Sequence, residues 1–128
     1  VKVLLDTHAF LWFDAAPEKL SNTAAEVLRN PDHEIYLSIA SVWEIQIKTQ
    51  LRRLELRVPL GSLVQSQCTT NNIRVLPIEL QHLYALADLP PHHNDPFDRL
   101  LLAQARAENF SLMSNDAALA AYDAQLIW

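Results

Sequence analysis

Apolar residues fall into short continuous runs, separated by longer stretches in which they recur every three or four positions. The runs are Val1–Leu5, Glu34–Ser38, Ile73–Ile78, Phe110–Ser114 and Leu126–Trp128. Runs that do not alternate with polar residues suit strands covered on both faces. The periodic stretches predict helices over Asn22–Arg29, Ser41–Leu51, Leu60–Asn71, Glu79–Ala87 and Pro96–Glu108. They follow a first helix whose apolar face is Phe10, Trp12 and Phe13, read first as core packing. Ser21 reads as an N-cap and Asn30-Pro31 as a stop. Pro96–Glu108 is the clearest helix, with Phe97, Leu100, Leu101, Leu102 and Ala105 in one stripe. Strands alternating with helices predict an α/β fold, a parallel sheet flanked by helices.

Composition narrows this picture. The chain has 128 residues, half of them apolar, which suits one domain spanning 1–128 with one buried interior. Its lone cysteine, Cys68, forms no internal disulfide and reads as a small buried residue of a helix, which points to a reducing, cytoplasmic setting. The longest apolar stretches, such as Ala9–Phe13, fall far short of the roughly 20 residues of a membrane span. Asp6 and His8 break the first apolar run at once, unlike a signal peptide. A single glycine, Gly61, excludes the glycine-rich phosphate loops of dinucleotide and nucleotide-triphosphate binders.

Four carboxylates stand where chemistry could be done. Asp6 and Asp116 directly follow predicted strands, while Glu44 and Asp98 lie in the first turns of predicted helices. Each also has a local structural explanation. Asp6 could cap the following helix. Ser41 to Glu44 matches a capping box. Asp95 could be the N-cap before Pro96, and Asp116 could open a last short helix. Their joint placement decides the matter, because parallel strands would gather all four over one sheet edge, where open α/β sheets carry their sites. Carboxylates so gathered repel, and divalent cations with oxygen ligands are the usual remedy. One or two such ions could activate a water and stabilise a leaving oxygen at a phosphodiester. An Asp-x-Asp or Asp-x-Glu opening, as in haloacid dehalogenases and proofreading exonucleases, is denied by His8.

At these residues the chain resembles the PIN-domain family, and within it the VapC-type toxins of bacterial toxin–antitoxin pairs. The matching segments are Leu4-Leu5-Asp6-Thr7-His8, Ser41-Val42-Trp43-Glu44-Ile45 with Lys48, His93 to Ala105, and Ser114-Asn115-Asp116. The resemblance implies a PIN-like three-layer fold, with about five parallel strands in the order 3-2-1-4-5. It implies a pocket of Asp6, Glu44, Asp98 and Asp116 binding Mg²⁺ or Mn²⁺. Asp98 takes the third acid position because it precedes Leu-x-Ala-x-Ala, leaving Asp95 as a cap that could touch the site. Thr7 and Ser114 become hydroxyls that position a metal ligand or a water. The implied reaction is endonucleolytic hydrolysis of RNA, a tRNA or ribosomal loop being expected. The implied partners are a cognate antitoxin and a second copy of the chain. The alternative is a PIN module that binds RNA or protein without turnover. Relatives commonly carry a glycine near Gln50-Leu51-Arg52-Arg53-Leu54, which implies an altered turn here.

The net charge of -5 runs against an RNA-binding chain unless positive charge is local. Lys48, Arg52, Arg53 and Arg57 form the densest basic cluster and are candidates for an RNA rail, or equally a solvated helix end. Lys48, one turn beyond Glu44, could pair with it or face phosphate. His92 and His93, in a Pro-flanked loop, read as exposed histidines rather than ligands.

Overall fold

A computed structural model describes residues 1–128. The elements run β1 (Lys2–Leu5), α1 (Thr7–Ala15), α2 (Asn22–Arg29), β2 (Glu34–Ser38), α3 (Ile39–Gln50), α4 (Leu60–Thr70), β3 (Arg74–Leu76), α5 (Leu80–Leu86), α6 (Pro96–Glu108), β4 (Ser111–Met113) and β5 (Leu126–Ile127). Single 3₁₀ segments cover Pro17–Lys19 and Ala117–Ala121. All strand pairs are parallel and the order is β3-β2-β1-β4-β5, as the PIN resemblance implies.

The continuous apolar runs have the cause expected of them. In β1, Val3 and Leu5 enter one core and Leu4 enters the other, all three fully buried. Leu112 and Met113 of β4 divide in the same way. Layers therefore cover both faces of the sheet. One is built on Leu101, Leu102 and Phe110 with Leu119, the other on Phe10, Ile45 and Leu63. Phe10 is core as expected, whereas Trp12 is only partly buried and meets Trp128 edge-on at 5.8 Å. Cys68 lies on α4 as predicted but is half-buried rather than buried.

One local reading needs correction. Helix α3 begins at Ile39, not Ser41, because Ser38 is its cap, its hydroxyl accepting from the Ala40 N–H at 3.0 Å. The Ser41–Glu44 capping box is therefore not formed, and Glu44 sits in the second turn. In the turn after α3 the arginine takes up a conformation that favours glycine. Arg52 itself adopts the left-handed conformation, at φ 57°, and the helix end keeps a glycine-type geometry.

Candidate active site

The site lies where β1, β2 and β4 end. Asp6 follows β1, its N–H donating to the Met113 carbonyl at 3.0 Å across the β1–β4 seam. Its carboxylate caps α1 by accepting from the Ala9 N–H at 2.7 Å. The cap and the site position are thus one residue. Burial pushes the Asp6 pKa up and the Glu44 charge adds to this, against hydrogen bonds from Ser114 and Ala9 and the charge of His8.

Glu44 reaches the same place from α3. It accepts from the Thr7 hydroxyl at 2.6 Å and pairs with Lys48 at 2.7 Å. The Ser41 and Thr7 hydroxyls lie 3.1 Å apart beneath it. Lys48 therefore takes the carboxylate-pairing option.

Asp98 occupies the third position of α6, after the Asp95 cap and Pro96. The Asp95 carboxylate accepts from the N–H groups of Phe97 and Asp98 at 2.8 and 3.3 Å, so Asp98 itself is left free to face the pocket. Its pKa is pushed up to about 7, first by burial and then by the Asp95 charge, with Glu44 and Asp6 adding and His93 opposing. Asp116 follows β4. It caps the 3₁₀ segment through the Ala118 N–H at 3.0 Å, and its own N–H donates to the Ser114 hydroxyl at 3.1 Å. A hydrogen bond from His93 is the main cause of its lowered pKa. Mutual charge effects link Asp98 to Asp6 and Glu44, and His93 links Asp98 to Asp116.

His93 is the residue that sequence reasoning missed. Far from being an exposed loop histidine, it puts Nε2 2.7 Å from Asp116 and 3.3 Å from Asp98, with its side chain only 13% exposed. Those carboxylates push its pKa up, the Asp116 hydrogen bond foremost. His92, by contrast, is exposed, its ring meeting Tyr122 edge-on. The basic cluster divides as well. Arg53 and Arg57 join Lys48, His8 and Trp12 around a groove of about 380 Å³, while Arg52 stands outside it. A larger cleft, about 560 Å³, lies at the opposite sheet edge beside the starts of β2 and β3. It holds none of the four acids, so chemistry rather than size locates the site.

Residues 3–125 match the PIN domain. The chain belongs to the PIN-domain family. It is similar to Ribonuclease VapC22 of Mycobacterium tuberculosis, 29% identical over 118 residues, which cover 91% of this chain and 88% of that protein. Among solved structures it resembles a chain of VapBC2 from Rickettsia felis bound to a promoter DNA fragment, with a TM-score of 0.73 at 12% identity, covering 98% of this chain and 97% of that one. It also resembles a chain of VapBC-1 from nontypeable Haemophilus influenzae, with a TM-score of 0.64 at 15% identity, covering 98% and 96%.

In this PIN domain the donor set suits a divalent cation. Its acids offer hard carboxylate oxygens, the ligands that Mg²⁺ and Mn²⁺ favour. Glu44 already has Lys48, and Asp116 has His93. Asp98 shares that histidine at the longer distance of 3.3 Å and has burial and like charges around it, so added positive charge would relieve it most. Asp6, capped but desolvated, is the next most in need.

Proposed function

We propose that this PIN domain is a VapC-like endoribonuclease that hydrolyses RNA phosphodiester bonds with Mg²⁺ or Mn²⁺, one or two ions per site. The observation that carries the proposal is the gathering of four acids from four chain segments, with Asp98 half-buried among like charges. Asp6 and Asp98 would hold the ion, while Glu44 and Asp116 complete the acidic ring. A divalent cation bound there supplies an activated water and neutralises charge on the phosphate. Thr7 fixes Glu44, Ser114 steadies Asp6 and the Asp116 backbone, and Asp95 sets the start of α6. No nucleophilic side chain of the serine or cysteine type is needed. The rail that would offset the acidic total is Arg53 and Arg57, beside the ring of Trp12 in a groove that Asp14 and Glu55 also line, while Lys48 is held by Glu44.

The likeness to a protein named a ribonuclease supports the reaction, and the likeness to chains of toxin–antitoxin systems supports a cognate antitoxin; that it covers the groove and relieves inhibition of translation is part of this proposal. A tRNA or ribosomal loop as substrate, a homodimer and a cytoplasmic setting belong to the same reading. Trp43 of α3 and Leu80 and Tyr84 of α5 are exposed large apolar side chains that a second copy could cover. No helix is long and apolar enough to cross a membrane.

The test is incubation of purified, antitoxin-free protein with mixed RNA and Mn²⁺, comparing wild type with Asp6→Asn and Asp98→Asn. Cleavage by the wild type alone is expected. Equal cleavage by all three would remove these acids from the mechanism. A folded wild type that binds RNA but cuts none would establish the non-catalytic module instead.

A further inference from the structure

His93, Asp98 and Asp116 offer ligand atoms that all lie within 4.8 Å of one another, the arrangement of a transition-metal site with one nitrogen ligand. The far side of the ring argues otherwise. Nδ1 accepts a hydrogen bond from the Asp95 N–H at 3.0 Å. A nitrogen whose lone pair is taken in this way carries no proton, so the ring proton must sit on Nε2. Nε2 then has no lone pair in the ring plane to give a metal, and it faces the Asp116 and Asp98 oxygens as a donor.

The ring is also held in place from behind. The backbone N–H groups of His92 and His93 both point to the Tyr122 hydroxyl, at 3.1 and 3.0 Å. That hydroxyl donates to the Pro90 carbonyl at 2.7 Å. Arg99 ties the same loop by donating to Tyr122 and to the Pro90 carbonyl.

We infer that His93 is a positioning residue for the acidic pocket, an Nε2–H donor of fixed tautomer that aligns Asp116 and Asp98, and that the cation's protein ligands are oxygens alone. This rests on the reading of the acids as a divalent-cation site. It assigns a role to a histidine that has the appearance of a ligand, and it explains why Asp95, which is no ligand, still matters: its side chain caps α6 while its N–H sets the His93 tautomer.

Long-range ¹H–¹⁵N spectra of the whole protein, with and without saturating Mg²⁺, test this directly. Recorded at a pH alkaline enough for the ring to be neutral beside its carboxylates, they should show a bare Nδ1 and a protonated Nε2 in both states. Any proton on Nδ1, or an Nε2 stripped of its proton when Mg²⁺ is added, overturns the inference. Calorimetric Mg²⁺ and Zn²⁺ affinities supply the second readout, with melting curves to confirm that each variant folds. His93→Ala should lose roughly 10- to 100-fold in Mg²⁺ affinity, the scale of losing a residue that orients a ligand. His93→Gln keeps an N–H donor and should stay within about threefold of wild type, with an unchanged Zn²⁺:Mg²⁺ ratio. Equal losses in both variants, or a more than about tenfold fall of that ratio in His93→Gln, would make His93 a ligand and overturn the inference. Both readouts are independent of cleavage. A protein that binds Mg²⁺ here yet cuts no RNA would sink the ribonuclease reading and leave His93's role standing.

Discussion

Glu44 on α3 and Asp98 on α6 bring two carboxylates to the same pocket under opposite conditions. Glu44 is the more buried, with its side chain 5% exposed against 23% for Asp98. Yet Glu44 receives the Thr7 hydroxyl and the Lys48 ammonium, both within 2.7 Å. Asp98 is less buried, but its carboxyl is pushed to about 7, first by the burial it has and then by the charges of Asp95, Glu44 and Asp6, with His93 opposing them. Depth alone does not decide which acid is strained; the partners supplied by the fold do. A compensated carboxylate can hold the pocket together without metal, whereas an uncompensated one stores unfavourable charge that a cation releases.

The largest expected effect follows from removing the uncompensated charge. Asp98→Asn keeps the shape of the side chain and should lower both divalent-cation affinity and RNA cleavage by more than about 100-fold, beyond the cost typical of residues that only orient ligands. Titration calorimetry and a cleavage assay on the same preparation check this. A variant that loses cleavage but keeps full cation affinity would show that Asp98 acts elsewhere in the reaction.

The comparison can also be broken from the other side. Lys48→Met removes the cation from Glu44 while leaving much of the aliphatic stem, so Glu44 becomes a second Asp98. Lys48 is 36% exposed, which moderates the cost, and a loss of about 2 kcal/mol in the metal-free protein is expected at pH 8. Chemical denaturation measures it. Glu44→Gln added to Lys48→Met should recover most of the loss, since no buried charge then remains unpaired. Failure of that recovery would mean that Lys48 stabilises through packing rather than charge.

The pH dependence of the metal-free protein carries the next effect. The folded pKa of Asp98 is about 7, above the roughly 3.9 of an unfolded aspartate. The folded state therefore binds the proton more tightly, and the contribution of Asp98 to stability falls as pH rises from about 4 to about 7. Asp98 is partly open to solvent, so screening reduces the contribution to about 1–2 kcal/mol. Denaturation in EDTA at pH 5 and pH 8 should show wild type losing more stability than Asp98→Asn across that interval. Asp6 acts in the same direction, which is why the difference between the two proteins is the quantity to read. Equal losses would place the burden on Asp6 and on His93, whose raised pKa acts in the same direction.

The sheet was readable because β1, β2 and β4 are buried on both faces, which forces continuous apolar runs and leaves little choice of register. The nearness of the four acids was readable from their places at strand ends and in early helix turns, and Asp95-Pro96 announced its helix start. Three things were not. The α3 start was misplaced because Ser38 and Ser41 both precede an apolar helical pattern, and only the Ala40 N–H contact tells them apart. His93 stayed hidden because its partner Asp116 is 23 residues away and meets it through space, with no local spacing to mark the pair. The Glu44–Lys48 choice was open because an i, i+4 pair looks the same in sequence whether it is closed or turned toward a ligand.

The smallest effect lies at the end of the helix that carries the compensated carboxylate. Arg52 sits at φ 57° just past α3, where its N–H donates to the Thr49 carbonyl at 3.1 Å and the Arg53 N–H donates to the Lys48 carbonyl at 2.9 Å. This is a left-handed helix cap, in which a side chain costs energy and glycine does not. Arg52→Gly should therefore raise stability by about 0.5–1 kcal/mol, even though it removes a positive charge from an acidic protein. Arg52 stands outside the groove, so RNA affinity should change little, while Arg53→Ala should weaken it without any gain in stability. The Mg²⁺-linked stabilisation of Arg52→Gly should equal that of wild type, because firming the end of α3 leaves Glu44 with Lys48 and Asp98 with only a share of His93. If Arg52→Gly instead weakened RNA binding as much as Arg53→Ala, the basic rail would extend around the turn, and the arginine would be kept there for its charge despite its backbone strain.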